Sequence, residues 1–554
     1  MGPFSELVRA RSSDDHVALR FEGRAWTWRE TVQEAADRAA AIRDIRPAGD
    51  RRQVHVGVLL QNLPDFAFWL LAAGLGGFVI VGINPTRRGE ELAQDIRHTD
   101  CDLLVTENEH LSLIAGAELP SVRRVLNVDT AEYADYLRPY RGAPLPAGSP
   151  AAEDMLLLLF SSGSTGAPKA VISSQRAMTR RAHVLGDRIG VHRDTITYLC
   201  MPLFHGNSIF TNLAPSVRSG ATIVMRRKFS ASGFARDIHE HGITFTNYVG
   251  RAINYVLATA EDPRDRLSTL EVAYGSEASP ADMVKFRDRF QCRIWESYGS
   301  TEGVLSIFPG PDAPPNSLGL PAAGQVIKVL NESGEECPLA KFDENGRLLN
   351  ADEAIGEIVG IDRVKAFEGY YHNPEAIADR VRGDDYWSGD LAFRDERGYF
   401  FFAGRTSDWL RVDGENFAAA PIERILSRYD GISSAVVYGV PDPHTGDNVM
   451  CAVQLPEGRA FDPKAFERFL GDQKDLGTKW RPRFVRVTES IAQTGTNKVN
   501  KAPLRRTVWE TADPVWWTPA RSTTYMSLTA ADRSALREEF VKHDRGHLLP
   551  RPLP

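Results

Sequence analysis

Between about residue 54 and residue 390 the chain alternates short apolar runs with amphipathic stretches of helical period, and that alternation leaves few folds open to it. Residues 54–60, 103–105 and 222–225 read as buried strands, while 64–73 and 234–241 read as helices. Strands separated by helices indicate an α/β architecture with largely parallel sheets. A chain of 554 residues is too long for one core, so at least two domains are expected. Near residue 404 the texture changes to a helix (421–428), strands (434–438 and 449–455), a second helix (463–470) and a polar basic stretch (494–506). The roughly 150 residues from 404 onward suit a small α+β domain. The Pro-, Gly- and Ala-rich stretch 143–153 reads as a linker between subdomains.

Composition narrows the function. Hydrophobic residues at 42% and charged residues at 25% are ordinary for a globular protein. A net charge of -7 argues against a nucleic-acid binder, which needs a basic face. Five cysteines stand far apart with no CxxC pair, and no histidine lies at metal-ligand spacing in the sequence. A disulfide framework or structural zinc is therefore not expected, and a reducing cytoplasm is the natural compartment. Residues 1–16 are charged throughout, which does not suit a secretory signal, and Glu6 stands where a myristoylation signal wants Ser or Thr. The uncharged run 66–83 is just long enough to span a bilayer, but Gly74, Gly76, Gly77 and Gly82 interrupt it. It reads as a helix over 66–73, a glycine turn and a buried strand over 78–83. No transmembrane segment is expected, and peripheral membrane contact stays open.

The strongest local signal is Ser161-Ser162-Gly163-Ser164-Thr165-Gly166-Ala167-Pro168-Lys169, set between two apolar runs. Glycines let backbone N–H groups approach a polyphosphate, hydroxyls donate hydrogen bonds, and the lysine supplies a point charge. The spacing is not that of the GxxxxGK[ST] loop. Low complexity alone fits a plain Ser/Gly turn, and the terminal Pro-Lys weighs against that.

This loop resembles the phosphate loop of the adenylate-forming (AMP-binding) superfamily, which includes acyl-CoA synthetases. Further segments resemble the family's motifs in order. The resemblance implies that His205, in Met201-Pro202-Leu203-Phe204-His205-Gly206-Asn207, lines the acyl pocket. It implies that Gly275-Ser276-Glu277 borders the adenine, and that in Tyr298-Gly299-Ser300-Thr301-Glu302 the tyrosine stacks on it while Glu302 holds Mg²⁺ beside Thr301. It implies that Asp390, after Ser388-Gly389, binds the ribose hydroxyls, and that Arg405 lies beside a hinge whose pivot is Ser407. Gly414, in Gly414-Glu415-Asn416, would border the coenzyme A path, and Lys498, in Asn497-Lys498-Val499, would be the catalytic lysine. Gly414-Glu415-Asn416, Thr494-Gly495-Thr496 and Asp513-Pro514-Val515-Trp516-Trp517 lean toward the very-long-chain acyl-CoA synthetase and fatty-acid transport protein branch. Asn497, Ala170 and Ser407 depart from common family residues, and none of these departures removes a catalytic group.

The resemblance implies a large N-terminal domain, residues 1–403, with mostly parallel sheets plus a β-barrel-like part, and a small mobile C-terminal domain, residues 404–554. The expected protein is an ATP-dependent acid–CoA ligase using Mg²⁺, as a monomer or homodimer. Its alternative keeps the adenylation step but uses another acceptor, such as an amine, or activates nitrite. The acyl pocket would lie near Asn207, Tyr248-Val249-Gly250, Tyr274 and Ser300, a partly polar lining that does not name the acid. Without the family, each residue has a plainer reading: His205 as a packed histidine, Ser300-Thr301 as a helix cap, Lys498 as a solvated lysine.

Overall fold

The run at residues 66–83 forms a helix, Pro64–Gly76, and a strand, Val79–Gly82. That helix is apolar on every face and therefore buried on every face, with Trp69 wholly enclosed. It passes through Gly74 and Gly76 and ends only at Gly77, whose φ of 72° suits a left-handed cap. A Cβ on Gly74 would stand 3.1 Å from the Phe4 ring, and one on Gly76 3.2 Å from Ala39. Those two glycines serve close packing against neighbouring helices, which is why they do not break the helix as the sequence suggests.

The computed structural model describes residues 1–45, 52–161, 169–276, 278, 280–310, 312–315, 317–344, 348–405, 409–412, 415–444, 446–473, 476–477, 479–491, 499–519, 522–543 and 545–550. The chain divides into two compact units, residues 1–309 with 363–384, and residues 310–362 with 385–554.

Two parallel sheets build the first unit. One runs Arg293–Glu296, Val272–Ser276, Phe245–Val249, Ile196–Leu199, Thr222–Met225, Val17–Phe21 and Arg24–Thr27, with only the last pair antiparallel. The other runs Arg124–Asn127, Leu103–Thr106, His55–Leu59, Val79–Gly82, Met155–Ser161 and Lys169–Ser174, again closing on an antiparallel pair. The stretch 143–153 does not separate subdomains. It delivers Met155–Ser161 into the same sheet, beside Val79–Gly82, and Arg9 pins it by donating to the carbonyls of Pro146 and Gly148, both at 2.6 Å. Among the described residues no helix is long and apolar enough to cross a membrane.

The second unit carries the half-barrel: an antiparallel sheet of Ile327–Leu330, Gly356–Gly360, Asp385–Arg394 and Phe400–Arg405. A mixed sheet follows, of Ser434–Pro441, Asp447–Gln454, Phe484–Val487, Val515–Trp517 and Met526–Ser527. The helices Ala419–Leu426 and Pro463–Asp472 bury Ile422, Ile425, Phe466 and Leu470 in the core that covers it. All five cysteines are buried free thiols.

Gly275 pairs with Tyr248 in the parallel sheet, and a Cβ there would lie 2.3 Å from the Tyr248 carbonyl oxygen. Backbone cannot yield as a flexible side chain can, so Gly275→Ala should cost about 1–3 kcal/mol through strain. A lowered midpoint of thermal unfolding checks this; an unchanged midpoint contradicts it.

Candidate active site

A parallel sheet delivers the C-terminal ends of its strands to one edge, and ligands bind there where the strand order reverses. In the larger parallel sheet the reversal falls between Ile196–Leu199 and Phe245–Val249. The turn carrying His205 follows the first of these strands, and Gly250 follows the second. Gly275 and Ser276 end the next strand, and Tyr298 lies just past the one after it. Four of the segments singled out in the sequence thus share one sheet edge.

The His205 turn is fixed from below. Asn62, buried, accepts from Leu203 N at 2.9 Å and donates to Met201 O at 3.0 Å. The His205 ring stands 4.4 Å from that of Phe204. A π-helical turn, Ile209–Leu213, follows, and such turns often mark functional sites. It is tied to the strands by a buried amide chain. Thr197 Oγ1 donates to Asn212 Oδ1 (2.8 Å), Asn212 Nδ2 to Asn247 Oδ1 (2.9 Å), Asn247 Nδ2 to Asn207 Oδ1 (2.6 Å) and Asn207 Nδ2 to Tyr248 O (3.3 Å). Asn212 and Asn247 are fully enclosed, so every link matters, because a buried amide left unpaired is costly.

Ser161 and Lys169 face each other across the mouth of the hairpin Met155–Ser161/Lys169–Ser174. Ser162, Gly163, Ser164, Thr165 and Gly166 lie outside the described residues. Lys169 is nearly buried, with Asp379 at 4.0 Å and the Tyr370 ring 5.3 Å below its ammonium. Burial, and then Arg380, hold its pKa below the usual lysine value, against the pull of Asp379 and Glu302. A cation so placed is short of negative charge and suits a polyanion.

The turn with Thr301 and Glu302 is held by arginines. Arg181 donates to Thr301 O at 2.7 Å and to Ser173 Oγ at 2.7 Å, with its guanidinium 4.0 Å from the Phe210 ring centre. Arg180 donates to Gly303 O (3.2 Å) and Arg363 to Val304 O (3.1 Å). Burial, then neighbouring Arg180, brings the Arg181 pKa down to about 10. Gly303 has φ of 66°, and a Cβ there would stand 2.4 Å from the Arg181 guanidinium. The Glu302 carboxylate accepts from the Tyr370 hydroxyl at 2.8 Å. A carboxylate beside a threonine hydroxyl is a hard-oxygen donor set, which fits Mg²⁺.

In the second unit, Asp390 and Arg405 are register partners across the strands Asp385–Arg394 and Phe400–Arg405. The Asp390 N–H donates to Ser388 Oγ (3.1 Å) and the Gly389 N–H to Glu357 Oε1 (2.6 Å), which shapes the turn. Tyr298 and Gly299 form a short strand paired with Ser306–Phe308. Glu277, Gly414 and Lys498 lie outside the described residues.

Tyr370, Arg181 and Asn247 are site-side residues that sequence reasoning missed. Arg181 sits in a helix with no motif around it, and Asn247 directly precedes the Tyr248-Val249-Gly250 segment without itself being singled out. Tyr370 is placed by pairing: Tyr371 N donates to Ala170 O (2.8 Å) and Ile172 N to Gly369 O (3.2 Å), a tertiary contact with no local signal. Among the described residues, Asp237, Glu240 and His241 come near enough to share an ion, as do His444, Glu539 and His543. Asp237 is already engaged by Tyr198 (2.7 Å) and Arg226 (2.6 Å).

The chain is similar throughout its length to known enzymes. Residues 7–371 match the AMP-binding enzyme family, and residues 421–498 match the AMP-binding enzyme C-terminal domain. A steroid-22-oyl-CoA synthetase of Rhodococcus jostii is 45% identical, covering 98% of each chain. A medium/long-chain fatty-acid–CoA ligase of Mycobacterium tuberculosis is 41% identical, over 92% of this chain and 98% of its own. A long-chain fatty acid transport protein of Mus musculus is 28% identical, over 84% of this chain and 72% of its own. In fold, ATP-bound MatB from Rhodopseudomonas palustris superposes with a TM-score of 0.79 at 21% identity, over 92% of this chain and 99% of that one. With four of the motif segments at one sheet edge and the family matched along most of its length, the chain belongs to the AMP-binding enzymes.

Proposed function

We propose that the acid activated by this chain is a hydrophobic carboxylic acid of the steroid side-chain class. The observation that carries the choice is 45% identity across 98% of both chains to the steroid-22-oyl-CoA synthetase. The reaction is ATP-dependent ligation of an acid to coenzyme A, as the family and the relatives at 41–45% identity have it. Those relatives also disfavour a different acceptor or nitrite. Medium- and long-chain fatty acids are the second reading, favoured by the 41% relative. Five buried free thiols favour a reducing compartment, the cytoplasm, as its setting.

In the proposed chemistry the substrate carboxylate attacks the α-phosphate of ATP, a new P–O bond forms, and pyrophosphate leaves with the electrons of the bond that breaks. The thiolate of coenzyme A then attacks the acyl carbonyl and AMP departs. The protein's part is positioning and charge neutralisation. Lys169 and the hydroxyls and N–H groups of Ser161, Ser162, Gly163, Ser164, Thr165 and Gly166 hold the phosphates. Gly275, Ser276, Glu277, Tyr298 and Gly299 frame the adenine, Asp390 and Arg405 the ribose. Glu302 and Thr301 would hold Mg²⁺, which supplies charge neutralisation at the phosphates. His205 borders the acyl group, and residues 404–554 move about Ser407 so that first Lys498 and then the loop of Gly414 reach the site.

The substrate reading is tested by comparing steroid acids of different side-chain length with fatty acids, measuring coenzyme A-dependent AMP formation. A fatty acid with a higher kcat/KM than every steroid acid would overturn it. Lys498→Ala should slow pyrophosphate release by at least about a hundredfold. The same variant should still convert chemically supplied acyl-AMP to thioester; wild-type pyrophosphate release would remove Lys498 from the mechanism. Gly414→Leu should fill the pantetheine path, so that thioester formation fails while pyrophosphate exchange continues. Equal retention of both activities would place that path elsewhere.

A further inference from the structure

Tyr370 belongs to no motif read from the sequence, yet it joins two of the groups on which the phosphate side of the site depends. It is 2% exposed, and the bridge between Val171 and Tyr370 fixes its backbone against the edge of the Lys169–Ser174 strand. Its hydroxyl donates to Glu302 Oε1 at 2.8 Å, and Arg380 bears on the same hydroxyl. Its ring face lies 5.3 Å from the Lys169 ammonium, and Phe367 packs edge-on to the ring at 5.2 Å, which locks its orientation. One enclosed side chain therefore touches a carboxylate on one turn and a cation on the hairpin.

We propose that Tyr370 is a positioning residue for adenylation: its hydroxyl orients the Glu302 carboxylate and its ring seats the Lys169 ammonium. The hydroxyl uses one carboxylate oxygen as acceptor and leaves the other lone pairs for a cation. A group that orients a metal-binding carboxylate in this way sets cation affinity as much as the carboxylate does. The ring attracts the ammonium through its quadrupole without neutralising it, so the charge stays available to an incoming phosphate. Asp379, by contrast, is 4.0 Å away and largely exposed, and it binds the lysine weakly. The inference rests on the reading of Glu302 as the Mg²⁺ ligand.

The test uses the full chain as wild type, Tyr370→Phe, Tyr370→Leu and Glu302→Gln, with melting temperatures recorded for each. Mn²⁺ affinity is measured by electron paramagnetic resonance in the presence of a non-hydrolysable ATP analogue, and the analogue's affinity is measured without metal by calorimetry. Tyr370→Phe should weaken Mn²⁺ binding about tenfold while leaving metal-free analogue binding and the melting temperature as in wild type. Tyr370→Leu should in addition weaken metal-free analogue binding about fivefold. If Glu302→Gln loses Mn²⁺ binding and Tyr370→Phe does not, the hydroxyl's role is overturned while the Glu302 reading stands. If Glu302→Gln itself binds Mn²⁺ as wild type does, the Glu302 reading fails and the proposal with it. Equal metal-free affinities in the Phe and Leu variants overturn the role of the ring. Tyr370→Phe keeps the packing, so it decides the hydroxyl's role whether or not Tyr370→Leu folds.

Discussion

The site depends on one geometric constraint: parallel strands must all end at the same edge. Antiparallel strands would have scattered His205, Gly250, Ser276 and Tyr298 to opposite ends. Parallel pairing in register from Phe245↔Val272 to Val249↔Ser276, and from Val272↔Arg293 to Gly275↔Glu296, brings their following segments side by side. The cost of that arrangement is crowding, visible where Tyr248 O leaves no room for a Cβ on Gly275. The buried amide chain from Thr197 to Asn207 then locks the π-helical turn to those same strands. A polar network with every member satisfied fixes one arrangement of the edge, whereas apolar packing alone tolerates several.

How much of this was legible follows from where each signal lives. The hairpin strands around Ser161 and Lys169 were legible because two apolar runs flank a short Ser- and Gly-rich segment, a local signal written in consecutive residues. The α/β class was legible because strand and helix periods differ. Gly74 and Gly76 misled because a glycine for close packing looks the same in sequence as a glycine for a turn, and only Phe4 and Ala39 distinguish them. The stretch 143–153 misled for a related reason: its proline and glycine content says loop, but which strand it joins is decided by the pairing of Met155–Ser161 with Val79–Gly82. Tyr370 was invisible, because its role depends on a segment 200 residues from the hairpin lying along that hairpin's edge.

The acid side was the least legible, and physics says why. Phosphate, ribose and adenine have fixed polar groups, so proteins meet them with a short menu of residues. An acyl chain is met by volume, and volume is set by many side chains that exchange for one another at small cost. Tyr248 and Tyr274 at the strand ends are buried, while Asn207 is only partly so. As the expected lining of an acyl pocket, they bound the size of an acid less tightly than whole-chain similarity does.

Charge around the Thr301–Glu302 turn differs in sign from that of the chain as a whole. The chain carries a formal -7, so its mean field repels ATP and pyrophosphate alike. Around the Thr301–Glu302 turn the balance reverses among the described residues: Lys169, Arg180, Arg181, Arg363 and Arg380 stand among Glu302, Glu368 and Asp379, five cations to three carboxylates. Arg180, Arg181 and Arg363 donate to backbone carbonyls of the turn, while Glu368 bears on Arg180 and Arg181 without a hydrogen bond to either among the described contacts. Burial depresses the pKa of both Lys169 and Arg181, and a nearby anion opposes such a shift by favouring the charged form.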